Sequence, residues 1–179
     1  MPDLMTAADQ ALHDSLREDG RLRYVTKETF PSRAFIFCCG DGHRAEQLEY
    51  LFRLMRGPKC DREIVPHWFT CHGGPLVLVP KFGGRLGREF LIDQLIQGIE
   101  MKPDIDSVIL QPHSVCGAVR KRKLDLRSTL LLHRESKEEI AWVLQKREIT
   151  TVTGITTTVH FDYGNDRMKT LAFDVDNFE

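Results

Sequence analysis

The chain has 179 residues and a formal net charge of −1, with 41% hydrophobic and 28% charged residues. This size and composition predict one globular domain over residues 1–179, and the near-neutral charge argues against a dedicated nucleic-acid-binding protein. No apolar stretch reaches the roughly 18 residues that a membrane span needs, and the N-terminus lacks a basic-then-apolar signal pattern. We therefore expect a cytoplasmic protein with no nucleic-acid or membrane partner. The basic run at residues 120–123 is interpreted as a solvated face.

The first predicted element is an amphipathic helix within residues 1–20. Asp3 or Thr6 is available as its N-cap, and Gly20 ends it. An apolar stripe of this kind must pack either on the chain's own domain or on a partner subunit. The stripe consists of Leu4, Met5, Ala8, Ala11, Leu12 and Leu16.

Three units in which a strand is followed by a turn or helix come next. The first has a strand at 33–39 and a helix at 44–56. The second has a strand at 75–80, a glycine-rich loop at 81–87 and a helix whose stripe runs from Phe90 to Ile99. The third begins with an apolar strand at residues 107–111.

Strands that alternate with helices predict parallel pairing through crossover connections. We therefore expect a three-layer α/β/α fold, with a mainly parallel central sheet of four to five strands. A further helix is predicted to begin at Ser136, where 136–139 has the spacing of a capping box. The alternating apolar pattern near the C-terminus, broken by Gly164-Asn165-Asp166, predicts a β-hairpin at residues 156–176.

The cysteines suggest a metal site or free thiols. They number five, at positions 38, 39, 60, 71 and 116, in a chain without a secretion signal. His113 and Cys116 lie three residues apart directly after the strand at 107–111, and an imidazole and a thiolate at that spacing can reach one zinc ion. Cys39 also follows a strand, and ligand sites in parallel sheets lie beyond the carboxyl ends of strands. The sequence thus predicts that Cys39, His113 and Cys116 meet.

Other interpretations of these residues remain open. Cys39 and Cys116 could be buried apolar thiols, and His113 could cap the following turn. Cys38 points to the opposite face of its strand and is interpreted as a core residue. The adjacent Cys71 and His72 could be ligands, a nucleophile with its base, or structural residues. Structural or surface roles are predicted for the other cysteine and for four further histidines: Cys60, His13, His67, His133 and His160.

Two motifs resemble those of the β-class carbonic anhydrases. That family has a Cys-x-Asp-x-Arg pattern after its first strand and a His-x-x-Cys-Gly pattern after its third. The corresponding stretches here are Cys39-Gly40-Asp41-Gly42-His43 and His113-Ser114-Val115-Cys116-Gly117, and 158–163 looks like the family's final strand.

The resemblance implies a zinc enzyme that hydrates CO₂ to bicarbonate. Cys39, His113 and Cys116 would bind Zn²⁺, and Asp41 would be either the fourth ligand or the residue that leaves the metal to admit water. The family also exchanges an N-terminal helix across a dimer, which implies a homodimer. CO₂ or bicarbonate would be the small-molecule substrate.

Departures from the family pattern affect the predicted activity. His43 stands where the family has an arginine that holds the aspartate off the zinc, and Arg44 follows it. An imidazole offers one donor to a carboxylate where a guanidinium offers two. The hypothesis is that Asp41 binds zinc at neutral or low pH, or that Arg44 reaches back to replace the missing pair. The stretch at 70–75 also lacks the arginine and asparagine of a family motif, which leaves the substrate open.

Three functions of different kinds therefore remain. The first is CO₂ hydration, or hydrolysis of a related molecule such as COS or CS₂, in which Asp41, His43 and Arg44 would control the catalytic water. The second is a non-catalytic zinc site that Asp41 closes. The third is a small-ligand or nucleotide-binding α/β module without metal, which only the glycine-rich loop at 81–87 favours.

Overall fold

The computed structural model describes residues 5–26, 30–40, 44–56, 64–114, 116–163, 168–176 and 178. The described part of the chain forms a mixed α/β fold. Its helices are α1 (Ala7–Glu18), α2 (Arg44–Arg56), α3 (Pro80–Met101), α4 (Gly117–Lys121) and α5 (Leu126–Lys146), with a 3₁₀ helix at Gly74–Leu78. Its strands are β1 (Leu22–Tyr24), β2 (Arg33–Cys39), β3 (Val65–Cys71), β4 (Ser107–Gln111), β5 (His113–Ser114), β6 (Gly154–Asp162) and β7 (Met168–Phe173).

The central sheet is mixed and larger than the predicted four to five strands. It has seven strands within the described ranges, in the order β1-β7-β6-β4-β2-β3, with β5 paired to β6. The pairs β2–β3, β2–β4, β4–β6 and β5–β6 are parallel, whereas β6–β7 and β1–β7 are antiparallel. The prediction was wrong because β1 and β5 have only three and two residues, which is too short for a periodic signal.

The predicted C-terminal hairpin is confirmed as an antiparallel pair of strands. Val159 and Phe161 on β6 are buried, as are Leu171 and Phe173 on β7, so the apolar residues of the pattern share one buried face. The polar residues between them are buried as well: Thr158, His160 and Thr170. The predicted turn at 164–166 lies outside the described residues. β6 also pairs with β4, and the hairpin therefore belongs to the main sheet.

The second predicted unit is wrong in its strand and its loop. The strand in this part of the chain is β3 at Val65–Cys71, and the apolar run at 75–80 forms the 3₁₀ helix and the first residue of α3. Leu76 and Leu78 are fully buried there, which shows that a short apolar run does not by itself distinguish a strand from another buried segment. The glycine-rich stretch at 81–87 lies inside α3, where Gly84 has a non-helical backbone with φ 72° and ψ 169°.

The helix predicted to begin at Ser136 begins ten residues earlier, at Leu126. Asp125 is its N-cap, because its Oδ1 accepts a hydrogen bond from the Ser128 N–H at 2.8 Å. Ser136 is buried in the middle of the helix, where its hydroxyl donates to the carbonyl oxygens of Pro75 and Leu132. The capping-box spacing was therefore a misleading signal.

Helix α1 is confirmed, with Thr6 as its N-cap and Gly20 just beyond its end. The Thr6 Oγ1 accepts from the Asp9 N–H at 3.1 Å. Leu16 is buried, and Met5 and Leu12 pack with it against residues of α5 and the hairpin. Part of the apolar stripe thus packs on the chain's own domain, whereas Ala8 and Ala11 are exposed and Leu4 lies outside the described residues.

The core occupies both faces of the sheet. Alternate residues of β2 face opposite sides: Phe35 and Phe37 pack with α3 and α5, whereas Ile36 and Cys38 pack with α2. The prediction that Cys38 is a core residue is confirmed, and helices cover both faces as predicted. None of the described helices combines the length and apolar character needed to cross a membrane.

Candidate metal centre

Cys39, His113 and Cys116 come together at one edge of the sheet. Cys39 is the last residue of β2, His113 begins β5 and Cys116 is the N-cap of α4. Their potential ligand atoms all lie within 4.8 Å of one another, and the Sγ atoms of the two cysteines are 3.4 Å apart. All three residues are buried, with exposed fractions of 1%, 5% and 3% in chain order. This group could hold a metal ion.

The parallel pairing of β2 with β4 explains why these residues meet. Cys38 is opposite Gln111 in the register, so Cys39 and His113 follow neighbouring strands at the same carboxyl edge, as ligands in such sheets do. Strand β6 then holds the backbone of His113 in place. β5, which begins at His113, pairs with β6, and the His160 N–H donates to the Pro112 carbonyl at 3.0 Å.

Gly74 allows the 3₁₀ helix to lie directly against Cys39. Its φ is +55°, and a Cβ placed on it would be 2.8 Å from the Cys39 nitrogen. A side chain at this position would therefore displace the backbone that carries the cysteine. The absence of a side chain at Gly74 is therefore what permits this close backbone approach.

The surroundings of Cys116 lower the pKa of its thiol. A hydrogen bond with the Cys39 thiol lowers the pKa of Cys116 to about 4, against burial, which raises it. Hydrogen bonds from His113 and from the backbone N–H groups of Ala118 and Val119 lower this pKa further. Since a metal binds the thiolate and not the thiol, the surroundings of Cys116 suit it as a ligand.

The separation of the sulfur atoms fits a tetrahedral metal site. Two sulfur ligands with bonds of about 2.3 Å to one zinc ion would lie about 3.8 Å apart, and the observed separation is 3.4 Å. A set of two cysteines and one histidine is also among those that leave a fourth position for water in catalytic zinc sites. The donor set and its spacing therefore fit a metal, although they do not identify which one.

A layer of polar side chains lies behind His113. The rings of His113 and His160 are stacked with centroids 6.1 Å apart. His160 Nδ1 and Gln111 Nε2 each lie 3.0 Å from the Thr170 hydroxyl oxygen. The sequence analysis missed this layer and gave His160 only a structural or surface role. The available signal was that His160 lies on the strand that resembles the family's last one.

The surroundings of Cys71 do not favour a nucleophile with His72 as its base. The Cys71 thiol donates to the Gly74 carbonyl oxygen at 3.5 Å, and burial raises the pKa of Cys71 to about 11. His72 is exposed. Cys71 is opposite Cys39 in the register, so its thiol lies on the strand next to the candidate site. The raised pKa favours the neutral form of this thiol. A structural role accounts for it.

The structure describes only part of the segment that contains the residues expected to control the catalytic water. Asp41 and His43 lie outside the described residues, and so does Cys60. Arg44 begins α2, but its side chain is not described. Whether Asp41 joins the three other residues at the metal therefore stays a prediction.

Comparison with known proteins gives little further information. No family model matches the sequence, and no curated protein matches it significantly. Among solved structures, a carbonic anhydrase from Streptococcus mutans matches over 94% of this chain and 99% of that chain, with 17% sequence identity and a TM-score of 0.45. A likeness this distant carries no argument about what this chain binds or catalyses.

Proposed function

We propose that this protein is a zinc-dependent enzyme of the β-carbonic anhydrase type, which hydrates CO₂ reversibly to bicarbonate. The observation that carries the proposal is the convergence of Cys39, His113 and Cys116, which come from two stretches of the chain that resemble the two metal-binding motifs of that family. Zinc suits this donor set better than the hard cations Ca²⁺ and Mg²⁺, which prefer oxygen ligands.

In this proposal each residue has a separate role. Cys39 and Cys116 bind the ion as thiolates and balance its charge, and His113 binds it through an imidazole nitrogen. When bound, zinc lowers the pKa of a coordinated water towards neutrality. Asp41 accepts a hydrogen bond from that water and orients it. His43 and Arg44 are the groups available to hold the Asp41 carboxylate away from the ion.

The experiment combines metal analysis with a kinetic assay. We expect about one zinc per purified chain and CO₂ hydration in a stopped-flow assay between pH 6 and 9, at a rate above that of zinc-free protein. Zinc-loaded protein that shows no such rate at any pH contradicts the proposed activity. Protein that takes up no zinc contradicts the metal centre itself.

A second candidate function is a zinc site without activity. It is favoured by His43, which replaces the arginine of the family motif and offers the Asp41 carboxylate one donor instead of two parallel ones. Asp41 would then be the fourth ligand and would exclude water. A structure of the zinc-bound protein near neutral pH distinguishes the two, because it shows either water or Asp41 at the fourth position.

The substrate and the partners belong to the same proposal. COS and CS₂ are alternative substrates, which the stopped-flow assay can compare directly with CO₂. A homodimer is proposed from the family resemblance, and a cytoplasmic location stays a proposal. A monomeric mass in light scattering would contradict the dimer.

A further inference from the structure

Polar side chains fill a buried part of the sheet beside the candidate metal centre. Gln111, Thr158 and Thr170 are completely buried, and His160 has an exposed fraction of 2%. These residues come from the neighbouring strands β4, β6 and β7. Because a buried polar side chain costs free energy unless it is hydrogen-bonded, a group of them at one place in the core needs a physical reason.

These side chains lie on the face of the sheet that α2 covers. Residues two positions apart on a strand share a face, and Ile109, which packs with residues of α2, precedes Gln111 by two positions. His160 and Thr170 are opposite each other in the register of β6 and β7, so their side chains share a face as well. The apolar packing under α2 therefore gives way to polar side chains close to the metal centre.

The Thr170 hydroxyl connects Gln111 with His160. The Gln111 amide donates from Nε2 to the Thr170 Oγ1 at 3.0 Å, and the His160 Nδ1 lies 3.0 Å from the same oxygen. A hydroxyl can accept and donate at the same time, so Thr170 can bond to both groups. The three side chains thus form a hydrogen-bonded chain across three strands, and this chain holds the His160 ring in one orientation.

The His160 ring in turn packs on the His113 ring. The two residues are opposite each other in the register of β5 and β6, with ring centroids 6.1 Å apart and ring planes inclined by 29°. The strand pairing fixes the backbone of His113, and the neighbouring ring restricts the rotation of its side chain. A histidine that is already oriented loses less conformational entropy when it binds a metal.

A second buried threonine in the same hairpin shows the alternative, a purely structural hydrogen bond. The Thr157 hydroxyl on β6 donates to the Phe173 carbonyl on β7 at 2.6 Å, and so links the two strands through the backbone. The Thr170 hydroxyl instead meets two side chains, one of which lies against His113. The two threonines can therefore be compared experimentally.

We propose that Thr170 is a positioning residue for the metal centre. Through its hydrogen bond it holds the His160 ring, and the His160 ring keeps the His113 imidazole directed at the ion. The Gln111 amide fixes the Thr170 hydroxyl from the other side. This inference rests on the proposed function, because it concerns the histidine ligand of that same zinc site.

The test compares the zinc affinities of three variants, measured by competition with a chelator. Thr170→Val keeps the shape of the side chain and removes its hydroxyl, and it should weaken zinc binding about tenfold, the lower end of the range for groups that orient metal ligands. Thr170→Ser keeps the hydroxyl and should restore most of the affinity. Thr157→Val is the matched control: it removes a buried hydroxyl from the same hairpin and should leave zinc affinity unchanged.

Spectroscopy separates positioning from a general loss of stability. The visible absorption bands of Co²⁺ bound in place of zinc report the geometry of the ligands, and they should shift in Thr170→Val but not in Thr157→Val. In zinc-free protein, the side-chain ¹⁵N signals of His160 should also change in Thr170→Val and return in Thr170→Ser. If Thr170→Val does not fold, Gln111→Met removes the other end of the hydrogen-bonded chain and should weaken zinc binding by a smaller factor.

Three results would overturn the proposal: unchanged zinc affinity in Thr170→Val, or in Gln111→Met where that variant replaces it; equal losses in Thr170→Val and Thr157→Val; or a loss in Thr170→Ser as large as that in Thr170→Val. Any of these in a protein that binds zinc and hydrates CO₂ overturns the positioning role alone. Zinc-bound protein without hydration contradicts the proposed activity, and the zinc affinities still decide the role of Thr170. Wild-type protein that takes up no zinc overturns the metal centre and this inference with it.

Discussion

Cys116 and Cys71 lie beside the same site, yet their surroundings have opposite effects on the thiol. The pKa of Cys116 falls to about 4 because donors surround its sulfur, whereas burial raises the pKa of Cys71 to about 11 and its thiol donates to a carbonyl. Both cysteines are near the carboxyl ends of strands. The difference indicates that position at a strand end does not decide whether a thiol ionises easily, and that the neighbouring hydrogen-bond donors do.

The largest expected effect is on metal content. Cys116→Ser should reduce zinc from about one ion per chain to a small fraction of that, because one of three protein ligands is lost. Cys71→Ser should retain zinc, and elemental analysis of the purified variants measures both. Equal zinc in the two variants would show that the contrast between the thiols has no bearing on metal binding.

A smaller effect is expected from Gly74, which lies against the Cys39 backbone and accepts the Cys71 thiol at its carbonyl oxygen. Gly74→Ala places a Cβ 2.8 Å from the Cys39 nitrogen at a φ of +55°, so it should lower the free energy of unfolding by about 1–3 kcal/mol and weaken zinc binding. Gly20→Ala, just beyond the end of α1, is a useful control, because its φ is also positive at +72° but no atom lies within 4 Å of the added Cβ. Urea unfolding of both variants measures the stability change. Equal losses of stability in the two variants would mean that the contact with the Cys39 backbone costs nothing beyond the strain of an alanine at positive φ.

Thiolate titration tests the comparison directly. In metal-free protein, ultraviolet absorbance should show one thiolate that persists well below the ordinary thiol pKa, and Cys116→Ser should remove it. Because the folded pKa of Cys116 is lowered to about 4, the stability that it contributes is present above the unfolded pKa and is lost as pH falls towards 4. Cys71→Ser should leave this acidic phase unchanged. Its persistence in Cys116→Ser would assign it to another group.

A further effect, confined to acidic pH, concerns a buried group away from the candidate metal centre. Burial lowers the pKa of His133 to about 3, although its Nε2 lies within hydrogen-bond distance, 3.1 Å, of the Thr158 carbonyl. Because the unfolded histidine takes up its proton near pH 6.5, the protein should lose stability as pH falls from about 6.5 towards 3. His133→Gln should reduce this loss in urea unfolding at several pH values. The exposed His72 is the control position.

The site could be predicted from sequence where its chemistry is local. His113 and Cys116 carry a ligand spacing, and Cys39 follows an apolar strand, so the rule for parallel sheets was enough to predict that they meet. The layer behind His113 was missed because it depends on the register of β5 and β6. The role of Asp41 could not be predicted from the motif. It depends on whether His43, with one hydrogen-bond donor where the family's arginine has two, can hold the Asp41 carboxylate away from the metal.

The fold was predicted less evenly, for reasons specific to each segment. β2 and the hairpin have clear apolar patterns and were found. β3 was missed because it is an edge strand of half-buried residues, and the 3₁₀ helix was read as a strand because all its large apolar groups are buried. The start of α5 was misplaced because Ser136 bonds to Pro75, a contact between segments that local spacing cannot show.

The pairing of β5 with β6 has a consequence for the order in which the protein forms. His113 and its neighbours are aligned by residues such as His160, which follow 47 positions later in the chain. During synthesis, a ribosome-bound chain that ends before residue 154 has made all three ligand residues but lacks the strand that fixes the histidine. The candidate metal centre therefore depends on a contact of high sequence separation, which costs loop-closure entropy before it stabilises the site.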